Sequence, residues 1–121
     1  MPELRIGELL AKIPVVQGGM GVGVSLSSLA SAVGNMGGIG VISTAGIGFD
    51  LPNYRKAPVQ TSIEALKAEI KKAREQTEGL VGVNIMVALA NFPDMVKTSI
   101  DAGVDIIFSG AGLPLDLPGY L

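Results

Sequence analysis

The sequence has no cysteine, no tryptophan and no histidine in its 121 residues. The absence of cysteine excludes disulfides and thiolate metal sites. The absence of histidine removes the commonest general base near neutral pH and the commonest metal ligand. Any chemistry must therefore come from a cofactor, from carboxylates, lysine or tyrosine, or from residues outside this chain.

The balance of charge and hydropathy excludes further classes of function. The net charge of −2 leaves no basic excess to neutralise phosphates, which argues against a nucleic-acid partner. No apolar run reaches the roughly 18 residues of a transmembrane helix, and residues 1–5 lack the order of a signal peptide. We predict a cytoplasmic protein with no membrane partner.

Short apolar runs and glycines are what the chain has in abundance. Hydrophobic residues make up 48% of it, and 17 residues are glycine. Four runs are apolar without strict alternation, as expected of parallel strands that are buried on both faces: residues 13–16, 39–42, 80–87 and 104–108.

Helical patterns separate these runs. The clearest covers about 62–78, where Ile63, Leu66, Ile70 and Ala73 form one apolar stripe behind a Thr61–Glu64 capping box. We interpret its charged residues as a solvated outer face. Two weaker helices are predicted at about 25–36, with Leu26, Leu29, Ala30 and Val33 inward, and at about 93–102, with Met95, Val96, Ser99 and Ile100 inward.

The order β-α-β-α-β-α-β predicts an α/β fold with a parallel sheet and helices outside it, in one domain over residues 1–121. A doubly wound sheet and part of a barrel both fit this order. No register of the glycine-rich segment 17–26 fits G-x-G-x-x-G, which disfavours a Rossmann dinucleotide fold. Residues 45–60 form the one long loop, at the carboxyl end of the sheet.

Candidate binding groups lie where the strands end. The segment Gln17-Gly18-Gly19-Met20-Gly21 lets backbone approach a flat ligand, or is only a tight turn. Asn84 must find hydrogen bonds inside its strand, either from protein or from a ligand's polar edge. The fourth run is followed by the small residues 109–112, again at the carboxyl end, where barrel enzymes place their sites.

The titratable residues suggest no site. The aspartates give no convincing acid–base or metal pair, so we predict no catalytic residue and no metal ligand in the chain. Tyr54 and Tyr120 are interpreted as loop packing.

Taken together, the motifs resemble the opening of the nitronate monooxygenase (2-nitropropane dioxygenase-like) family. The similarity is carried by residues 13–20 (IPVVQGGM), 32–43 (AVGNMGGIGVIS), 82–86 (GVNIM) and 109–114 (SGAGLP). The third of these motifs is most similar to the branch of FMN-dependent enoyl-acyl-carrier-protein reductases. The loop at 45–60 is longer than the resemblance leads us to expect.

The resemblance implies the first four βα units of a TIM (β/α)₈ barrel that binds FMN. It implies that Gly19, Met20 and Gly21 lie against the isoalloxazine ring and that Asn84 and Met86 face it. It also implies an oxidoreductase that oxidises an alkyl nitronate with O₂ or reduces an enoyl thioester with NAD(P)H. We expect Gly19→Val to block the ring face.

The chain departs from the family in its length. A TIM barrel takes roughly 250 residues, and the family's later half carries a Gly-Gly-His segment and the loops that hold the FMN phosphate. The chain is then a fragment, expected to be inactive alone, or a half-barrel that associates with a second half or oligomerises. The alternatives are a non-catalytic half-barrel that acts as a binding or assembly module, and an inosinate dehydrogenase-like or dihydroorotate dehydrogenase-like barrel. The lack of cysteine counts against inosinate dehydrogenase.

Overall fold

A computed structural model describes all 121 residues. Five strands and four helices follow one another in this order: β1 Leu4–Ile6, β2 Leu9–Ala11, α1 Ser27–Asn35, β3 Ile39–Ser43, α2 Pro58–Gln76, β4 Leu80–Met86, α3 Phe92–Asp101, β5 Ile106–Gly110 and α4 Leu117–Tyr120. None of the helices combines the length and the apolar character needed to cross a bilayer.

The predicted parallel sheet is present. It has three strands in the order β3-β4-β5, and Ser43 lies opposite Asn84, which lies opposite Phe108. One face of the sheet, with Ile42, Val83 and Ile85, packs against the helices in the main hydrophobic core. The α/β architecture is therefore confirmed, and three of the four predicted strands form.

The first predicted strand, at 13–16, is not a regular strand. Only Val16 bridges to Ile39, in the parallel sense. The N–H of Val15 turns back to the carbonyl of Ile13 at 2.8 Å, and Pro14 has no N–H to contribute to a ladder. The segment still runs along β3, because Ile39 N–H donates to Val15 O at 2.9 Å.

Small residues pack α1 on the sheet, so the predicted inward face is confirmed at Ala30 and at Leu26, which packs against the core, but is wrong at Leu29. The helix buries Ser27, Ala30, Ser31 and Gly34, whereas Leu29 is 42% exposed. A Cβ on Gly40 would collide with the backbone of Ala30, which shows how closely the helix axis approaches β3. Leu29 was wrongly predicted to face inward because close backbone packing of the helix on the strand selects small side chains.

The helix α2 begins earlier than predicted, and the capping box is wrong. Pro58 occupies the first turn and Thr61 lies inside the helix, where its N–H donates to Ala57 O at 2.9 Å. Ser62 donates its hydroxyl to Ile47 O at 2.9 Å, so it fixes the long loop instead of a helix end. The predicted stripe of Leu66, Ile70 and Ala73 is buried, and this part of the prediction is confirmed.

An amino-terminal hairpin that the sequence reading did not anticipate covers part of the other sheet face. Strands β1 and β2 pair antiparallel, with Gly7 at φ +56° in the two-residue turn. Ala11 of this hairpin joins Ile39 and Val41 in a second buried cluster, while Phe108 is only half-buried. The inner face of the sheet is therefore covered at β3 and open toward β5.

Candidate functional site at the carboxyl edge of the sheet

The loops that follow the parallel segments lie at one edge of the sheet, which we call the carboxyl edge. They comprise residues 17–25 before α1, residues 44–57 after β3, residues 87–91 after β4 and residues 111–116 after β5. The parts nearest the strand ends carry no ionisable side chain up to Asp50 in the second loop and Asp116 in the fourth. Next to the strand ends the edge therefore offers amides, hydroxyls, backbone groups and apolar surface, and its ionisable residues lie farther along the loops.

Gly19 lies directly over Asn84. A Cβ on Gly19 would be 2.9 Å from the Asn84 Cβ, 3.3 Å from its Cγ and 3.4 Å from the Val41 Cγ1. These two predicted site residues, 65 positions apart in the sequence, are thus brought together by the fold. No residue with a side chain fits at position 19 without displacing Asn84.

The side-chain amide of Asn84 has no hydrogen-bond partner within the protein. It is half-buried on the inner face of the sheet, in register with Ser43 and Phe108. Its backbone carbonyl, in contrast, accepts two bonds from Thr44, one from the N–H at 3.1 Å and one from the hydroxyl at 3.0 Å. The backbone is therefore held rigidly while the amide head stays free for a ligand.

The two predicted methionines occupy different surroundings. Met86 follows Asn84 by two residues on the same face of β4 and is half-buried. The side chain of Met20 is 64% exposed, while its backbone is tied at both ends to Ser25.

The packing of two loops explains why position 21 is a glycine. A Cβ there would be 2.7 Å from the Ala45 Cβ and 2.8 Å from the Ala45 carbonyl oxygen. The next residue, Val22, has φ +53° and donates its N–H to that same oxygen at 2.8 Å. A β-branched residue in this region is strained, so the loop is held there by its contact with the loop after β3.

Sequence reasoning gave no role to the side chains of two residues, Gln17 and Ser25, that anchor the glycine turn. Ser25 is 1% exposed and accepts the N–H of Met20 on its Oγ at 2.9 Å. Gln17 forms two bonds with Val41, which donates its N–H to Oε1 at 3.0 Å and accepts from Nε2 at 3.1 Å. Their position in the sequence could have identified them, because they are the polar residues that flank the glycine turn.

Between these anchors the backbone is free. Gly18 and Gly19 are exposed, and their peptide groups have no hydrogen-bond partner within the chain. Nothing lies within 4 Å of a Cβ built on Gly18. The turn thus presents unpaired peptide groups above a free side-chain amide, an arrangement suited to a flat ligand with a polar edge.

The end of β5 belongs to the same edge. Val87 donates its N–H to Gly110 O at 2.8 Å, beyond the last residue of β4. Ala111 and Gly112 follow at positive φ, and Gly112 faces Val87, with a built Cβ 3.1 Å from the Val87 Cβ. The small residues after the fourth run therefore adjoin the loop after β4, at the edge where the sequence placed them.

A comparison with models of known protein families identifies the family of the chain. The nitronate monooxygenase family model matches residues 3–106. The chain belongs to the nitronate monooxygenase family. This range includes the glycine turn and the Asn84 strand, whose motifs carry the resemblance found in the sequence.

Two solved structures are similar to the chain. FabK from Thermotoga maritima is 28% identical with a TM-score of 0.60, over 82% of this chain and 28% of that one. Its M276A mutant is 29% identical with a TM-score of 0.59, over 77% of this chain and 27% of that one. The chain thus spans little more than a quarter of the length of these relatives. A search of curated proteins found no match.

Proposed function

We propose that the chain supplies the ring-facing part of an FMN site in an oxidoreductase of the nitronate monooxygenase family. The observation that carries this proposal is the free amide of Asn84 beneath the unpaired peptide groups of Gly18 and Gly19. Membership of the family, through residues 3–106, supports flavin as the ligand. We further propose a cytoplasmic location.

The groups at the carboxyl edge match the chemistry of an isoalloxazine ring. Such a ring is flat and carries hydrogen-bond donors and acceptors along its pyrimidine edge. The Asn84 amide both donates and accepts, and the peptide N–H of Gly18 or Gly19 donates. Gly19, Met20, Gly21, Asn84 and Met86 are the proposed ring contacts. When bound, FMN supplies the redox chemistry, and the protein supplies orientation and electrostatics.

The proposed reactions are the oxidation of an alkyl nitronate with O₂ and the reduction of an enoyl thioester with NAD(P)H. The enoyl reduction needs a proton donor for the substrate carbon next to the thioester carbonyl, whereas an alkyl nitronate is already deprotonated. The chain has no histidine, and residues 79–93 on either side of Asn84 contain no ionisable side chain. The proton-transfer group would therefore come from a further segment, and we predict that residues 1–121 alone turn over neither substrate.

A flavin titration tests the proposal. This half lacks the phosphate loops that the resemblance assigns to the later half, so its contacts would be with the ring. We expect saturable quenching of flavin fluorescence, with lumiflavin and FMN binding within about threefold of each other. Absence of saturable binding by either flavin would remove the site, and steady-state turnover by this chain would contradict the assignment of the proton-transfer group elsewhere.

The rival is a non-catalytic half-barrel that acts as a binding or assembly module. The absence of histidine from the chain favours it. It predicts protein that stays free of flavin even after a complementary half has been added. Visible absorbance of the reconstituted complex decides between the two.

We propose that a second half-barrel covers the open edge of β5. No strand pairs with the far edge of β5, and a groove of about 380 Å³ beside it is lined by Ile100, Val104, Ile106, Ile107, Leu117 and Leu121 together with Asp105. Unpaired strand edges and apolar grooves promote association. We expect sedimentation of the purified chain to show an oligomer, or a complex with a complementary half. A compact monomer at micromolar concentration would contradict this.

A further inference from the structure

The parallel ladder between the first segment and β3 stops at a defined point. Ile39 donates its N–H to Val15 O at 2.9 Å and accepts from Gln17 N–H at 3.1 Å. In a regular parallel ladder, the next residue of β3 to face this segment is Val41. Its N–H would then bond to the carbonyl of Gln17, and its carbonyl would accept from the N–H of Gly19.

Neither of these bonds is formed. The side-chain amide of Gln17 takes both places: Oε1 accepts from Val41 N–H at 3.0 Å, and Nε2 donates to Val41 O at 3.1 Å. Val41 is 1% exposed, so these backbone groups would be costly to leave unpaired. The side chain thus replaces the chain's own backbone in the ladder.

We propose that Gln17 is a positioning residue that releases the glycine turn from the sheet. Because its amide satisfies Val41, the carbonyl of Gln17 and the peptide groups of Gly18 and Gly19 are left free at the carboxyl edge. Gly19 can then lie over Asn84, in contact with the Asn84 Cβ. This inference rests on the proposed function only for the identity of the ligand; the release of the turn does not depend on it.

The amide is required by its geometry. A carboxylate at this position could accept from Val41 N–H but could not donate to Val41 O, and two oxygens would repel each other. A neutral carboxylic acid has both a donor and an acceptor and would restore the pair. A methionine has the length of the side chain but neither bond.

Hydrogen exchange of the 121-residue chain, read by mass spectrometry at residue resolution, tests the pairing. In Gln17→Met we expect the protection of the Val41 N–H to fall about tenfold, while that of Val83 in the centre of the sheet stays unchanged. Gln60→Met is the matched control, because Gln60 lies on an exposed helix turn and bonds only to Glu64. Protection of Val41 within about twofold of wild type would overturn the proposal.

A second variant covers the case in which Gln17→Met unfolds the whole sheet. Gln17→Glu should protect Val41 as wild type does at about pH 4, below the ordinary glutamate pKa of about 4.3. At about pH 8 the ionised side chain is repelled by Val41 O and leaves the pair, so the protection of the Val41 N–H should fall. Exchange that matches wild type at both pH values would show that the side chain does not hold Val41.

Flavin affinity, measured on the same variants, separates the two proposals. We expect Gln17→Met to weaken FMN binding about tenfold and Gln60→Met to leave it unchanged. If wild type binds no flavin, the proposed function fails while the exchange of Val41 still decides the role of Gln17. If Val41 loses protection and flavin affinity is unchanged, the turn is not positioned through Gln17.

Discussion

The two ends of the parallel sheet are built on different principles. At the amino end, Arg74 donates to Gly103 O at 2.7 Å, to Asp105 Oδ2 at 2.8 Å and to Gly79 O at 3.4 Å. Asp105 Oδ2 also accepts Val81 N–H at 2.9 Å, which joins α2 to the beginnings of β4 and β5. At the carboxyl edge, Asn84 and the Gly18–Gly19 peptides have no partner within the chain.

From this contrast we expect the amino end of the sheet to contribute to stability and the carboxyl edge to ligand binding. Barrel enzymes place their sites at the carboxyl ends of the strands, and the amino ends serve stability. Here the polar groups at the amino end bond to one another, whereas the carboxyl edge leaves the Asn84 side-chain amide and the Gly18 and Gly19 peptide groups without a partner. Substitutions at the amino end should therefore lower the free energy of unfolding, and substitutions at the carboxyl edge should lower ligand affinity.

The largest effect is expected from a pair of glycines at opposite ends. In Gly79→Ala the new Cβ collides with the backbone of Gly34, and overpacking of this kind costs about 3 kcal/mol. Gly18→Ala meets nothing within 4 Å and should change the free energy of unfolding by less than about 0.5 kcal/mol. Denaturant unfolding measures both. An equal cost at both positions would remove the contrast.

A smaller effect is expected from the ion pair at the amino end. Asp105→Ala leaves Arg74 and the Val81 N–H without their shared partner, at a cost of about 2 kcal/mol. Lys72→Ala is the control, since Lys72 is 58% exposed and lies 3.8 Å from Glu69, so its loss should cost less than about 0.5 kcal/mol. Thermal unfolding compares the two variants, and flavin affinity of the folded Asp105→Ala protein should match wild type.

Gly19→Val is a poor test of the predicted ring face, because its side chain would strike Asn84 and Val41 even with no ligand present. Reduced flavin binding in that variant would therefore not identify a ring contact. Asn84→Ala is cleaner because it keeps the Cβ against which Gly19 packs.

Patterns that repeat along the chain predicted much of the fold. The apolar runs at 39–42 and 80–87 correspond to β3 and β4, and the run at 104–108 corresponds to β5 shifted toward its carboxyl end. The stripe on α2 is buried as its spacing predicts. The approach of Gly19 to Asn84 follows from parallel strands, whose carboxyl ends meet at one edge.

Contacts between distant residues could not be predicted in this way. Arg74 looked like part of a solvated face, yet it is half-buried and paired with Asp105, 31 residues away. The packing of α1 by Ala30 and Gly34 depends on how closely a helix can approach a strand, which a count of apolar residues does not measure. At Gln17 a side-chain amide takes the place of backbone groups in the strand ladder, and no periodic pattern in the sequence predicts this.

The most direct measurement is the FMN dissociation constant of two matched asparagine variants at opposite ends of the sheet. Asn84→Ala removes the free amide at the carboxyl edge, and Asn35→Ala removes an exposed amide near the amino end that donates to Gln76 O. We predict that Asn84→Ala weakens FMN about tenfold, or ~1.4 kcal/mol, with unfolding unchanged, and that Asn35→Ala leaves the affinity at the wild-type value. Equal affinity in the two variants would contradict a flavin site at the carboxyl edge.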